Sequence, residues 1–193
     1  TNAFNFLDGI DGLASGLGIT CALFIVVISW DTQQQDVAFY SAALAGACMG
    51  FLYMNWHPAR VFLGDCGSTF IGFILGGIAV WGSWATDNYV VAVSTPMLIL
   101  GVPIFDIIYI TVSRINRGVV TSVKEWIEYV GRDHFHHRLM DRGLSVEGAV
   151  GFIILINICL GLSAWIMQST DSTFVTVLLL MQSVLILLGV VIL

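Results

Sequence analysis

Six apolar stretches punctuate the chain, at Gly12 to Trp30, Val37 to Tyr53, Thr69 to Trp84, Tyr89 to Ser113, Gly148 to Met167 and Phe174 to Leu193, and short polar connections separate them. Each is long enough to cross a hydrocarbon core of about 30 Å as a helix, for which about 20 residues suffice. None shows the alternating polarity that a membrane-barrel strand carries over about 10 residues. The pattern predicts an all-α fold: a polytopic bundle of six membrane helices forming a single domain over residues 1–193, with a long polar loop at residues 114–147.

Composition agrees with this and excludes a soluble domain. Of the 193 residues 58% are hydrophobic and 10% charged, and the mean hydropathy is +0.91. Cys21, Cys48 and Cys159 lie inside spans and Cys66 in a loop, so no pair reads as a disulfide framework.

Charge then sorts the loops. All seven Lys and Arg residues fall in two places, Arg60 after the second span and Arg114, Arg117, Lys124, Arg132, Arg138 and Arg142 after the fourth. By the positive-inside rule these loops face the cytoplasm. The connections Asp31 to Asp36, Ala85 to Asn88 and Gln168 to Thr173 hold acidic residues and no Lys or Arg, and so face outward. An even number of crossings puts Thr1 to Asp11 on the cytoplasmic side too.

Three polar clusters share that side. In the first, Asn2, Asn5, Asp8 and Asp11 recur every third residue at the edge of a span. A regular helix, at about 100° per residue, would spread them over half its circumference, whereas a tighter or broken helix aligns them; Gly9 and Gly12 favour the break. Irregular backbone at membrane depth survives only where protein or a water-lined cavity satisfies it. A plain polar helix start and a Ca²⁺ loop are the alternatives, but the alternating ligands and terminal Glu of an EF-hand are missing.

The second cluster, Phe62 to Thr69, sets Asp65 among glycines at the start of the third span. Glycines admit a ligand close to the backbone, and the first amides of a helix favour phosphate oxygens. Asp65 reads either as a helix cap or as a Mg²⁺ ligand completed by an amide oxygen, substrate phosphates and water. The third cluster, Arg132 to Arg138, packs three imidazoles and two guanidiniums into seven residues, an anion-binding patch beside a Lys124–Glu128 helical pair. Zinc binding and attraction to anionic lipid are the competing readings. Asp106 lies inside the fourth span near Pro96 and Pro103, which predict a kink, and both a structural pairing and a direct role stay open. His57-Pro58 reads first as a turn, then as a substrate contact.

In this order the clusters resemble the polyprenyl-phosphate N-acetylhexosamine-1-phosphate transferase family, whose members initiate teichoic acid and O-antigen synthesis and which is related to phospho-MurNAc-pentapeptide translocase. The resemblance rests on Asn2 to Gly12, His57 to Ser68, Pro103 to Asp106 and His134 to Leu139, and so covers about the first 145 residues. It implies a Mg²⁺-dependent (or Mn²⁺-dependent) enzyme of the plasma membrane with a cytoplasmic site. Its partners would be UDP-N-acetylhexosamine and a polyprenyl phosphate lipid, with no nucleic acid and with a homodimer as candidate assembly. The His-X-His-His form is similar to the N-acetylglucosamine branch, with undecaprenyl phosphate as acceptor.

The same resemblance implies Asp65 as metal ligand with Asn5 assisting, and Asp8, Asp65 and His136 as the catalytic set. It places Asn2, Asn5, Asp11, His134, His137 and Arg138 at the substrate, Asp11 toward the nucleobase and the histidines about the phosphates. The family's acidic pair on an earlier helix has no counterpart in these residues, and the chain, opening on Thr1 without Met, reads as a piece of a longer protein. A transporter with an edge-located anion site is the rival class, given intramembrane Asp106 and the small residues Gly72, Gly76 and Gly77.

Overall fold

The computed structural model of the chain describes residues 1–120, 125, 131 and 134–192. All regular structure among them is helical: α1 (Asn2–Leu7), α2 (Leu13–Asp31), α3 (Gln35–Asn55), α4 (Gly64–Trp81), α5 (Tyr89–Ile99), α6 (Gly101–Asn116), α7 (Phe135–Asp141), α8 (Val146–Gln168) and α9 (Thr173–Ile192). The expected Lys124–Glu128 pair, Arg132 and Asp133 lie outside the described residues. Five of these helices are long and apolar enough to cross a membrane, and the bent pair α5 and α6 supplies a sixth candidate crossing.

α2 forms the centre. Leu13, Leu17, Cys21, Ile25 and Ile28 are buried, and so are Ala14, Ser15, Gly16 and Ala22 on its other faces, while Leu23, Val27 and Trp30 in its second half stay exposed, so protein surrounds the start of the helix more fully than its end. α3 returns beside it and α8 crosses it closely. A Cβ added at Gly16 would stand 2.7 Å from Ile154 of α8, and one added at Gly161 of α8 would stand 2.3 Å from the Phe24 ring. Each helix thus gives up a side chain where the other projects one, the means by which helices approach within lipid. α9 is largely exposed at the edge of the bundle.

The fourth expected span, Tyr89 to Ser113, requires correction. It is two helices meeting at 81°, not one kinked helix. The physical reason is Pro103, which has no N–H to offer the Ile99 carbonyl one turn earlier. That carbonyl accepts instead from the Cys21 thiol, 3.2 Å away on α2, and Asn157 of α8 in turn donates to the Cys21 sulfur at 3.4 Å. A neighbouring helix therefore satisfies the backbone that the break exposes. The third span also differs, since α4 begins at Gly64 and stops at Trp81, after which Trp84 folds back to donate its indole N–H to Ala79 at 2.8 Å.

Side-chain bonds sort the connections to opposite ends of the bundle. At one end Gln34 exchanges two bonds with the Ser83 backbone, at 2.7 and 2.8 Å, Trp165 donates to Asp31 at 2.8 Å, and Gln168 donates to Thr95 of α5 at 3.0 Å. The opposite end gathers α1, the turn after α3, the start of α4 and α7. Because α5 touches the first end and Asp106 of α6 touches α7 at the second, the bent pair passes from one end to the other.

Candidate functional site

The amino-terminal polar repeat folds as the short helix α1, a turn at residues 8–12, and then α2. Helix and turn separate at Asp8, which ends α1, and at Gly12, whose φ of 79° is left-handed and suits glycine. Asn55 closes this turn. Its Oδ1 accepts from Gly12 N at 3.1 Å and from Ser15 Oγ at 2.8 Å, and its Nδ2 donates to the Val61 carbonyl at 3.0 Å. One buried amide thus ties the start of α2 to the end of α3 and to the turn that follows. Asn55 escapes the sequence reading because a lone Asn at the edge of an apolar run looks like the point where a span meets water; its burial is the missing information.

Asp11 holds that same turn. Its Oδ2 accepts from Ala59 N at 3.1 Å and lies 2.7 Å from His57 Nδ1, across a cis His57–Pro58 peptide. The Ala59 N–H, with His57 beside it, keeps the Asp11 carboxyl below its ordinary range. The first reading of His57-Pro58, a turn, agrees with this arrangement.

α1 lies against α4, where Gly72 leaves room for the Thr1 backbone 2.8 Å from where a Cβ would stand. The packing brings the first two clusters together. Ser68 donates to Asn5 Oδ1 at 2.7 Å, and Asp8 accepts from the Gly64 backbone N–H beside Asp65. Burial pushes the Asp8 carboxyl up to about 6; the Gly64 bond opposes that rise and the Asp65 carboxylate adds to it. Asp65 itself is exposed in the first turn of α4, and Asn2 is exposed at the start of α1.

The histidine segment reaches the same place from the other side. His134 caps α7, with its ring 5.6 Å from Phe6 of α1, and its Nδ1 lies 2.9 Å from Asp106 Oδ2. Asp106, left open between a pairing and a direct role, is therefore paired. His136 is fully buried between His134 and His137, with ring centroids 5.7 and 4.2 Å away, and neither of its ring nitrogens has a hydrogen-bond partner among the described residues. Burial, then the neighbouring His137 and His134, push its pKa down to about 3, so the ring is neutral at physiological pH. Arg138 donates from Nη2 to the Val191 carbonyl of α9 at 3.0 Å and stacks 4.9 Å over the Tyr109 ring. Its guanidinium is thus engaged by helices, while its place in the sequence had suggested phosphate.

Among the described residues no group of three or more His, Cys, Asp or Glu side chains converges as a metal cage, which gives the zinc reading no support. Mg²⁺ asks for less, since one or two carboxylates with substrate phosphates and water complete its octahedron. The adjacent Asp8 and Asp65 fit that demand. Ser68 occupies one lone pair of Asn5 Oδ1, and the second stays available to a cation.

Residues 1–83 match the model of glycosyl transferase family 4. The chain is 35% identical over 169 residues to a probable undecaprenyl-phosphate N-acetylglucosaminyl 1-phosphate transferase of Bacillus subtilis, covering 88% of this chain and 45% of that protein. It is 37% identical over 187 residues to a decaprenyl-phosphate N-acetylglucosaminephosphotransferase of Mycolicibacterium smegmatis, covering 88% and 44%. A phospho-N-acetylmuramoyl-pentapeptide-transferase of Caldicellulosiruptor bescii is 49% identical over 79 residues, 41% of this chain and 25% of that protein. The chain spans a little under half the length of the first two relatives.

Proposed function

We propose, from the membership of residues 1–83 in glycosyl transferase family 4, that this chain carries much of the active site of a membrane enzyme. That enzyme would move N-acetylhexosamine-1-phosphate from a UDP-sugar to a polyprenyl phosphate and release UMP. The observation that carries the reading is the convergence of three polar segments, distant in sequence, at one end of an apolar bundle. One substrate is a soluble anion and the other a lipid whose phosphate lies at the interface, so their meeting place has to be a membrane edge. The positive-inside rule makes that edge cytoplasmic, which suits a nucleotide-sugar donor. The relatives bear the names of transferases, and nothing favours transport.

In the reaction a carrier-phosphate oxygen forms a bond to the phosphorus nearest the sugar, and the bond from that phosphorus to the oxygen bridging to UMP breaks. Asp8 and Asp65 would hold Mg²⁺, which when bound supplies positive charge against the pyrophosphate oxygens. A carboxylate oxygen of Asp8 not engaged by the metal would take the proton of a singly protonated carrier phosphate. The Asn5 amide, turned by Ser68, offers its N–H₂ to a phosphate oxygen. His134 and its neighbours orient the donor phosphates. Positioning and charge supply most of the acceleration in phosphoryl transfer, and these groups lie within or directly beside the ends of α1, α4 and α7. The test is UMP release by the intact protein in its native membrane, assayed with several UDP-sugars and polyprenyl phosphate. Absence of release with every N-acetylhexosamine donor would refute the reading.

A further inference from the structure

Asp106 is 2% exposed and uses both carboxylate oxygens on one short segment. Oδ1 accepts from the Phe135 N–H at 2.9 Å, while Oδ2 faces His134 Nδ1 at 2.9 Å. The first bond is a helix cap supplied from another helix: the Phe135 amide opens α7 and would otherwise be orphaned, and a carboxylate is favoured at that partly positive end. One turn along α6, Tyr109 lies under the Arg138 guanidinium, so α6 holds α7 at its first residue and at its middle. Capping needs only one oxygen. The second lies on an imidazole in the middle of the candidate site.

We propose that Asp106 is a positioning residue that fixes the tautomer and direction of the His134 ring for the phosphoryl transfer described above, a reaction on which the inference rests. An ionised carboxylate only accepts hydrogen bonds, so the ring nitrogen facing it carries the hydrogen. Nε2 is then the nitrogen with the lone pair, able to receive a proton or, once protonated, to donate to an anionic oxygen. Ring rotation is blocked on two sides, because His134 stacks on His136 at 13° between planes and leans on Phe6.

Asparagine at residue 106 would break this logic while keeping the shape. Its single carbonyl oxygen can serve the Phe135 N–H, but its N–H₂ then faces His134 Nδ1 and pushes the hydrogen to Nε2. The same inversion by Asp→Asn is the lesson of the serine-protease triad.

The intact protein, labelled with ¹⁵N-histidine and held in detergent, tests this by NMR, with the His134 signals identified by their loss in His134→Gln. The expected result is hydrogen on Nδ1 in the wild type and on Nε2 in Asp106→Asn. Turnover of Asp106→Asn should fall about 100-fold, the range for losing one positioned hydrogen-bond donor to a transferring group, with KM for the UDP-sugar changing less than kcat. In a His134→Gln background the same substitution should cost little more, because the two residues act as a unit. A wild-type ring whose single hydrogen is on Nε2, with Nδ1 bare, overturns the proposal, and so does an Asp106→Asn penalty as large in the His134→Gln background as in the wild type. Should Asp106→Asn fail to accumulate, the wild-type spectrum decides alone. An intact protein that shows the Nδ1–H ring yet releases no UMP refutes the proposed reaction and leaves the Asp106–His134 coupling standing.

Discussion

His136 fills the space that a side chain at residue 9 would need: its Nε2 lies 2.5 Å from the position of a Cβ on Gly9. The turn that carries Asp8 and Asp11 and the helix that carries the histidines are therefore in contact through a missing side chain. A methyl group there must displace the fully buried His136 ring.

Gly9→Ala should accordingly cost about 1–3 kcal/mol of stability, the usual range for overpacking, and reduce UMP release at least tenfold. His136→Ala in the same chain should recover the lost melting temperature by vacating the space, though not activity. Equal melting temperatures for wild type and Gly9→Ala in detergent would show that the turn and the histidine helix are not in contact.

Acidification should destabilise the protein through His136. An unfolded histidine titrates near 6.5, whereas folded His136 is pushed down to about 3. The unfolded chain thus binds the proton first, so stability is full above about pH 6.5 and is lost as pH falls toward 3. Asp8 acts in the opposite sense, because its folded value of about 6 exceeds the unfolded 3.8 and favours the folded state as the pH drops between them. The His136 share is read as a difference: melting temperature should fall more steeply from about pH 6.5 to 4.5 in the wild type than in His136→Gln. Identical slopes would assign the titration to another group.

Asp65→Asn should abolish UMP release and the response of any residual activity to Mg²⁺, with the protein still folded and inserted. The reason is its place, exposed in the first turn of α4 beside Asp8, where a neutral amide cannot replace an anionic ligand. Near-normal turnover with ordinary Mg²⁺ dependence would remove Asp65 from the metal site.

Topology is open to a direct check. In a background cleared of native cysteines, Asp87→Cys and Asp171→Cys should react with an impermeant thiol reagent added outside the cell, and Asn116→Cys only after permeabilisation. All three positions are exposed, so failure to react reports the side of the membrane and not burial. The reverse pattern would place the candidate site outside.

The spans were legible because an apolar run of sufficient length has few alternatives, and the break of the polar repeat was legible because Asn2, Asn5, Asp8 and Asp11 align only if the helix ends early. Pro96 and Pro103 announced a kink, but an 81° bend also needs a donor for the Ile99 carbonyl, and that donor, Cys21, lies 78 residues away in sequence. Arg138 reads as an anion ligand by its neighbours; its contacts with Val191 and Tyr109 belong to helices whose packing no local pattern encodes. Asp106 and Asn55 share that difficulty, since a buried polar side chain declares its role only once its partners are in place.

The bent crossing also bears on how the protein can be engineered. A cysteine-free background, the starting point for thiol labelling, removes a hydrogen-bond donor from a helix that does not itself bend. Serine at residue 21 keeps an O–H for the Ile99 carbonyl, whereas alanine leaves that carbonyl stranded in hydrocarbon surroundings, at a cost of about 1–3 kcal/mol. Cys21→Ser and Cys21→Ala are thus unequal choices, and the second would shift the joint that carries Asp106 toward the histidines before any label was attached.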